Sequence, residues 1–190
     1  MMNRREALRR VAFIVGGTVI GSKLFLEGCS RPASKDVAAL FEGDSPAFLG
    51  DLAEAILPKT STPGAKEAGV GDFIPVMIRD CYDEKDQKAF LDGFNGVDKR
   101  AQDEFKKGFN ELTADEKLKF VDKWDKEAKE YQKNKKEEEA NHFFTMMKQL
   151  TLTGFFTSEV GMKQALRFVK IPGKYDGAYP YKKGDKAWAL

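Results

Sequence analysis

At 190 residues the chain is long enough for one domain plus an appendage. Apolar residues make up 42% of it and fifteen are phenylalanine, enough large side chains for a sizeable core, while the 33% that are charged nearly balance in sign. The net charge of +2 and the apparent pI of 8.4 owe their sign to residues 1–28, where five cations face two glutamates; the remainder carries −1, which argues against nucleic acid as a partner.

The first 28 residues read as an address. A basic segment, Asn3 to Arg10, precedes an apolar run, Val11 to Ile20, and then Leu26-Glu27-Gly28-Cys29. That order describes an export signal, and the run falls short of the roughly 20 apolar residues that span a bilayer. Arg4-Arg5 with Leu8 resembles a twin-arginine signal, which directs folded proteins across the membrane; Ala7 departs from the pattern, and ordinary secretion is the alternative. Leu26 to Cys29 resembles a lipobox, with Cys29 as the lipidated first residue of the mature chain and Glu27 a poor fit. Cleavage elsewhere would leave Cys29 free or joined to Cys81. With Cys29 lipidated, Cys81 is expected to be a lone, buried thiol. The expected organisation is a signal over 1–28, a tether over 29–44 with one helical turn around Val37–Phe41, and a helical domain over 45–190, periplasmic and held at a membrane through Cys29.

Ser45-Pro46 predicts a helix start, with Ser45 as the cap and Phe48, Leu49, Leu52, Ile56 and Leu57 on one face as far as Pro58. Residues 59–65 are a loop by composition, with a turn at Pro63-Gly64, and Gly69-Val70-Gly71 interrupts any longer helix. Asp72 is expected to cap a helix carrying Phe73, Ile74, Val76, Met77 and Cys81, with Pro75 in its first turn. Further helices are expected over Asp83–Phe94 and over Val97–Phe109, ending near Gly108. Thr113-Ala114-Asp115-Glu116 is a capping box, followed by Leu118, Val121, Trp124 and Ala128 at helical spacing. The charge run Lys133–Glu139 reads as a solvated helix end.

Glu137–Thr153 then predicts a buried helix, with Phe143, Met147 and Leu150 in one line and Gly154 as its end or kink. A last helix is expected over Val160–Phe168, with Ser158-Glu159 at its start. The tail, Ile171 to Tyr181, is rich in turn residues and aromatic, so it must lie against the helices or against another protein. No strand alternation is sustained, and the fold class is all-α: one compact helical domain with an irregular aromatic tail.

Catalytic chemistry finds little support. His142 is the only histidine, so no second one completes a metal site, and it reads as a core or surface residue. There is no Cys-x-x-Cys pair for a haem or an iron–sulfur cluster. Ser158-Glu159 reads as a helix cap, and Asp83, Glu84 and Asp86 as a solvated helix start, without the loop spacing for calcium. An enzyme would have to use His142, Glu159 or Cys81 with a bound cofactor.

Phe143-Phe144, Lys148, Leu150-Thr151-Leu152, Gly154 and Phe156 to Gly161, followed by Pro172-Gly173, Tyr175 and Gly177, resemble the gluconate 2-dehydrogenase subunit 3 family. Ile56-Leu57-Pro58, Thr62-Pro63-Gly64, Ala68-Gly69-Val70 and Phe73-Ile74 fit the same family upstream, so the resemblance runs over about residues 46–190. It implies a small subunit of a membrane-associated, flavin-dependent sugar or alcohol dehydrogenase of the glucose-methanol-choline type. The large subunit would hold FAD, and a cytochrome c subunit would take the electrons. The small subunit would bind no cofactor; it would aid maturation of its partner and supply the export signal that the twin-arginine translocase reads at Arg4 and Arg5. The partner surface is then expected at Phe155, Phe156, Tyr175, Tyr179 and Tyr181, with core packing as the alternative for the two phenylalanines. The family's cysteine near the end is Ala178 here, so a role for it is absent. A free-standing, lipid-anchored periplasmic binding protein is the alternative function.

Overall fold

The computed structural model describes residues 35–171 and 173–189. The expected leader, with Arg4, Arg5 and Cys29, lies outside the described residues. The helices are α1 Lys35–Ala38, continued by a 3-10 turn Ala39–Phe41, then α2 Ser45–Ile56, α3 Val70–Cys81, α4 Glu84–Asn95, α5 Val97–Phe105, α6 Ala114–Asn134 and α7 Phe143–Thr157. A second 3-10 turn, Phe109–Glu111, leads into α6, and a π turn, Gly161–Ala165, follows α7. Strands β1 Arg167–Phe168 and β2 Trp188–Ala189 pair in parallel, Arg167 opposite Trp188. The all-α expectation holds, with this short ladder as its exception.

Helix α7 sits at the centre because its apolar residues go nearly all round it, the pattern of a helix covered on several sides. It packs on α2, α3, α4 and α6, and Phe144, Met146, Met147, Leu150 and Phe155 are buried. Thr151, also buried, donates its hydroxyl to the Met147 carbonyl at 2.8 Å, so its polar atom is satisfied. The phenylalanine-rich composition becomes a continuous ring-to-ring chain: Phe90 to Phe143 at 5.0 Å, Phe143 to Trp124 at 5.1 Å, Trp124 to Phe120 at 5.2 Å, Phe120 to Phe109 at 5.5 Å and Phe109 to Phe48 at 5.6 Å. Most of these rings meet tilted or edge-on, as their quadrupoles favour.

Helices α2 and α3 cross where Gly50 meets Gly71. A Cβ on Gly71 would overlap the Pro46 carbonyl oxygen and lie 2.9 Å from the Gly50 nitrogen, so the two backbones touch there. Gly71 is therefore a contact residue inside α3, and the helix starts earlier than Asp72, after Gly69 at φ 72°. Asp72 lies in the first turn, where its charge suits the helix dipole. Gly154 likewise does not end α7, which runs on to Thr157: a Cβ there would come within 2.7 Å of the Phe73 ring, so its bareness admits that ring.

Polar side chains fasten the helix ends. Gln87 is buried and donates from Nε2 to the carbonyls of Ile78 (3.0 Å), Arg79 (3.2 Å) and Tyr82 (3.1 Å), closing the C-terminus of α3 from α4. Asp83 caps α4 by accepting from the Asp86 amide, and the Asp86 carboxylate accepts from the Asn141 backbone and side chain, both at 2.7 Å. The predicted capping box at α6 is present, with Thr113 and Glu116 each accepting from the other's amide.

Several expectations are corrected. Val37 and Leu40 are fully buried, so the second half of the expected tether is part of the packed body. Ser45 is the first residue of α2 and not its cap, Asp44 occupying that place. Helix α5 stops at Phe105, where Lys106 takes a left-handed conformation, φ 62°. Leu118 is 60% exposed; it lies roughly 100° round α6 from the buried stripe of Phe120, Val121, Trp124 and Ala128. Glu137–Asn141 are not helical, and α7 begins only at Phe143. The expected Val160–Phe168 helix is reduced to the π turn, because Phe168 is drawn into β1. Cys81 is exposed, not buried.

Candidate partner-binding surface

Of the side chains that could have carried chemistry, His142, Ser158 and Glu159 are taken up locally, while Cys81 is a free, exposed thiol. His142 is the N-cap of α7: its Nδ1 accepts from the Phe144 amide at 3.1 Å. That bond requires the neutral ring, and partial burial pushes the imidazole's pKa below its ordinary value. Ser158 clips the turn after α7, donating to the Phe155 carbonyl at 2.7 Å and accepting from the Gly161 amide at 2.9 Å. Glu159 is exposed and pairs with Lys163, whose hydrogen bond holds the carboxyl below its ordinary range. Among the described residues no group of three histidine, cysteine or acidic side chains could hold a metal ion. No helix among them is long and apolar enough to cross a membrane.

The aromatic candidates divide. Phe155 is 2% exposed and belongs to the core, which removes it from a partner surface. Its neighbour Phe156 points outward, 40% exposed, with its ring edge-on to Phe155 at 5.1 Å. Beyond the π turn the chain forms an arm, residues 167–189, in which Tyr175 is 95% exposed. Tyr179 and Tyr181 are exposed there as well.

The arm has a fixed base. The β1–β2 pair closes it, and the Arg167 guanidinium lies 4.6 Å from the centre of the Trp188 ring and 5.9 Å from that of Tyr179. Tyr179 stands edge-on to Trp188 at 5.3 Å, and Arg167 Nη1 donates to the Tyr179 hydroxyl at 3.4 Å. Cation–π contacts of this kind contribute about 0.5–1 kcal/mol at exposed sites. Beside the stack lies an open cavity of about 620 Å³ lined by Val169, Lys174, Tyr175, Asp176, Tyr179 and Trp188. The role of Arg167 was missed by sequence reasoning; its distance of 21 positions from Trp188 left no local signal.

The helical body thus ends in a closed arm that leaves aromatic side chains exposed. The chain belongs to the gluconate 2-dehydrogenase subunit 3 family, whose model matches residues 44–173, from the start of α2 to the first turn of the arm. The match stops short of Tyr175 and Gly177, which the resemblance had included. No curated protein and no solved structure gives a significant match. Membership fits an accessory subunit of a dehydrogenase complex and implies association with other subunits.

Proposed function

We propose that this chain is a non-catalytic accessory subunit of a periplasmic, flavin-dependent sugar or alcohol dehydrogenase complex, aiding maturation and twin-arginine export of the catalytic subunit. The observation that carries the reading is the family match over residues 44–173. In this reading FAD resides in the large subunit and a cytochrome c subunit receives the electrons. A flavoprotein that loads its cofactor in the cytoplasm must cross the membrane folded, and one signal can carry a partner that lacks its own. Arg4 and Arg5 would engage the translocase, Cys29 would bear the lipid, and Phe156, Tyr175, Tyr179 and Tyr181 would meet the partner.

Replacing Arg4-Arg5 by Lys-Lys tests the carrier role, with dehydrogenase activity followed by cell fractionation. Activity is expected to move to the cytoplasm or disappear; unchanged periplasmic activity rejects it. The cavity beside Tyr175, Tyr179 and Trp188 favours a second reading, a lipid-anchored binding protein for a small ligand such as a sugar. Isolation from native membranes without any large flavoprotein would support that second reading over the first.

A further inference from the structure

The charge of the folded chain is divided by region. Residues 35–166 carry 20 basic and 26 acidic side chains, a net of −6, whereas the arm, residues 167–189, carries six basic and two acidic, a net of +4. Both carboxylates of the second region are committed to its own turns: Asp176 accepts from the Ala178 amide at 3.1 Å and Asp185 from the Lys182 amide at 2.9 Å. Lys170, Lys174, Lys182 and Lys183 are exposed and have no ion-pair partner among the described residues. On the body Lys129 and Lys148 share Asp125, Lys123 and Arg100 share Glu104, and cations without an ion pair among the described residues, such as Lys99 and Lys119, lie in a region of net negative charge. The four unanswered lysines each adjoin or nearly adjoin an exposed apolar side chain: Lys170 beside Ile171, Lys174 beside Tyr175, and Lys182-Lys183 after Tyr181.

We propose that the arm, residues 167–189, docks by charge onto an acidic face of the catalytic subunit, with Tyr175 and Tyr181 entering apolar recesses between that face's carboxylates. This rests on the accessory-subunit reading above. Cationic side chains around a contact raise the encounter rate and fix its register, and tyrosines supply contact area at low entropic cost. The ladder and the Arg167 stack close the base of the arm before binding, which lowers the cost of ordering it. An anionic bilayer would attract the same lysines, and the vesicle measurement below separates it from a protein partner.

The test uses the full-length chain carrying Lys170→Glu, Lys174→Glu, Lys182→Glu and Lys183→Glu, titrated with the catalytic flavoprotein at about 50 and about 300 mM salt. Affinity is expected to fall roughly 30-fold, about 2 kcal/mol at 1.4 kcal/mol per factor of ten. The corresponding glutamine variant is expected to lose roughly 5-fold, and wild-type affinity to drop at the higher salt. Unchanged melting of both variants would show that folding is intact. Equal affinity of wild type and both variants at both salts overturns the electrostatic inference while leaving the accessory-subunit reading in place. Failure of wild type to bind the flavoprotein at either salt overturns that reading as well. Loss of binding to phosphatidylglycerol vesicles with flavoprotein affinity unchanged overturns protein docking and assigns the arm to the membrane. Salt-sensitive self-association with the same variants overturns it in favour of a second copy of the chain.

Discussion

Two glycines at one helix crossing are expected to respond to the same substitution with opposite sign. In Gly71→Ala the new methyl meets the Pro46 carbonyl oxygen, the Gly50 nitrogen and, at 3.1 Å, the Gly50 Cα, all backbone atoms that no rotamer change can move. Helices α2 and α3 would have to part, loosening Leu49, Ala53, Val70 and Ile74, all fully buried. Overpacking of this kind costs about 1–3 kcal/mol, and rigid neighbours put it at the upper end or beyond. The gain in helix propensity returns about 1 kcal/mol, leaving a net loss of about 2 kcal/mol. In Gly50→Ala the methyl would lie 3.7 Å from the Lys66 Cγ and 3.9 Å from the Gly71 Cα, ordinary contacts. That variant keeps the propensity gain and is expected to be more stable by about 0.5–1 kcal/mol. Urea unfolding followed by circular dichroism would measure both, and the melting temperatures should move roughly 4–8 °C down and about 2 °C up. A shift of both variants in the same direction would refute the packing argument.

Other predictions follow from the caps. Because burial holds His142 neutral, the unfolded chain takes up a proton that the folded one resists. Its contribution is present above the ordinary histidine pKa of about 6.5 and lost as pH falls through the lower folded value. His142→Asn, which keeps a capping acceptor, should lose less stability than wild type between about pH 7 and pH 5; parallel unfolding midpoints would contradict this. Gln87→Leu leaves the carbonyls of Ile78, Arg79 and Tyr82 without their buried donor and should cost about 2 kcal/mol in the same urea assay, an unchanged midpoint counting against the clasp. Trp188→Ala removes the ring against Arg167 and should make the arm cleavable by trypsin at Lys170 and Lys174 at low protease concentration; a cleavage pattern identical to wild type would show that the stack does not hold it.

Much of the helical body was legible because its signals are local. The Thr113–Glu116 capping box, the apolar face of α2 ending before Pro58 and the solvated end of α6 all depend on residues within a turn or two. What escaped depends on distant partners. A glycine looks the same in sequence whether it breaks a helix or admits a neighbour, and only Phe73 and Pro46, far from Gly154 and near Gly71 only in space, decide the matter. The short α1 segment had too few residues to reveal that Val37 and Leu40 reach the core. The clasp of Asp86 on Asn141 spans 55 positions, and the parallel ladder of Arg167–Phe168 with Trp188–Ala189 has no periodicity to announce it. Cys81 followed the apolar stripe of α3 in sequence but sits in its last turn, where the helix emerges into solvent.

The central claim, that this member of the family serves a flavin-dependent dehydrogenase, is tested most directly by purifying the tagged full-length chain from native membranes and measuring flavin absorbance and subunit mass across gel filtration. The account predicts co-elution with a large FAD-containing subunit in equal amounts. Elution of the chain alone, without flavin, at the mass of one copy would contradict it.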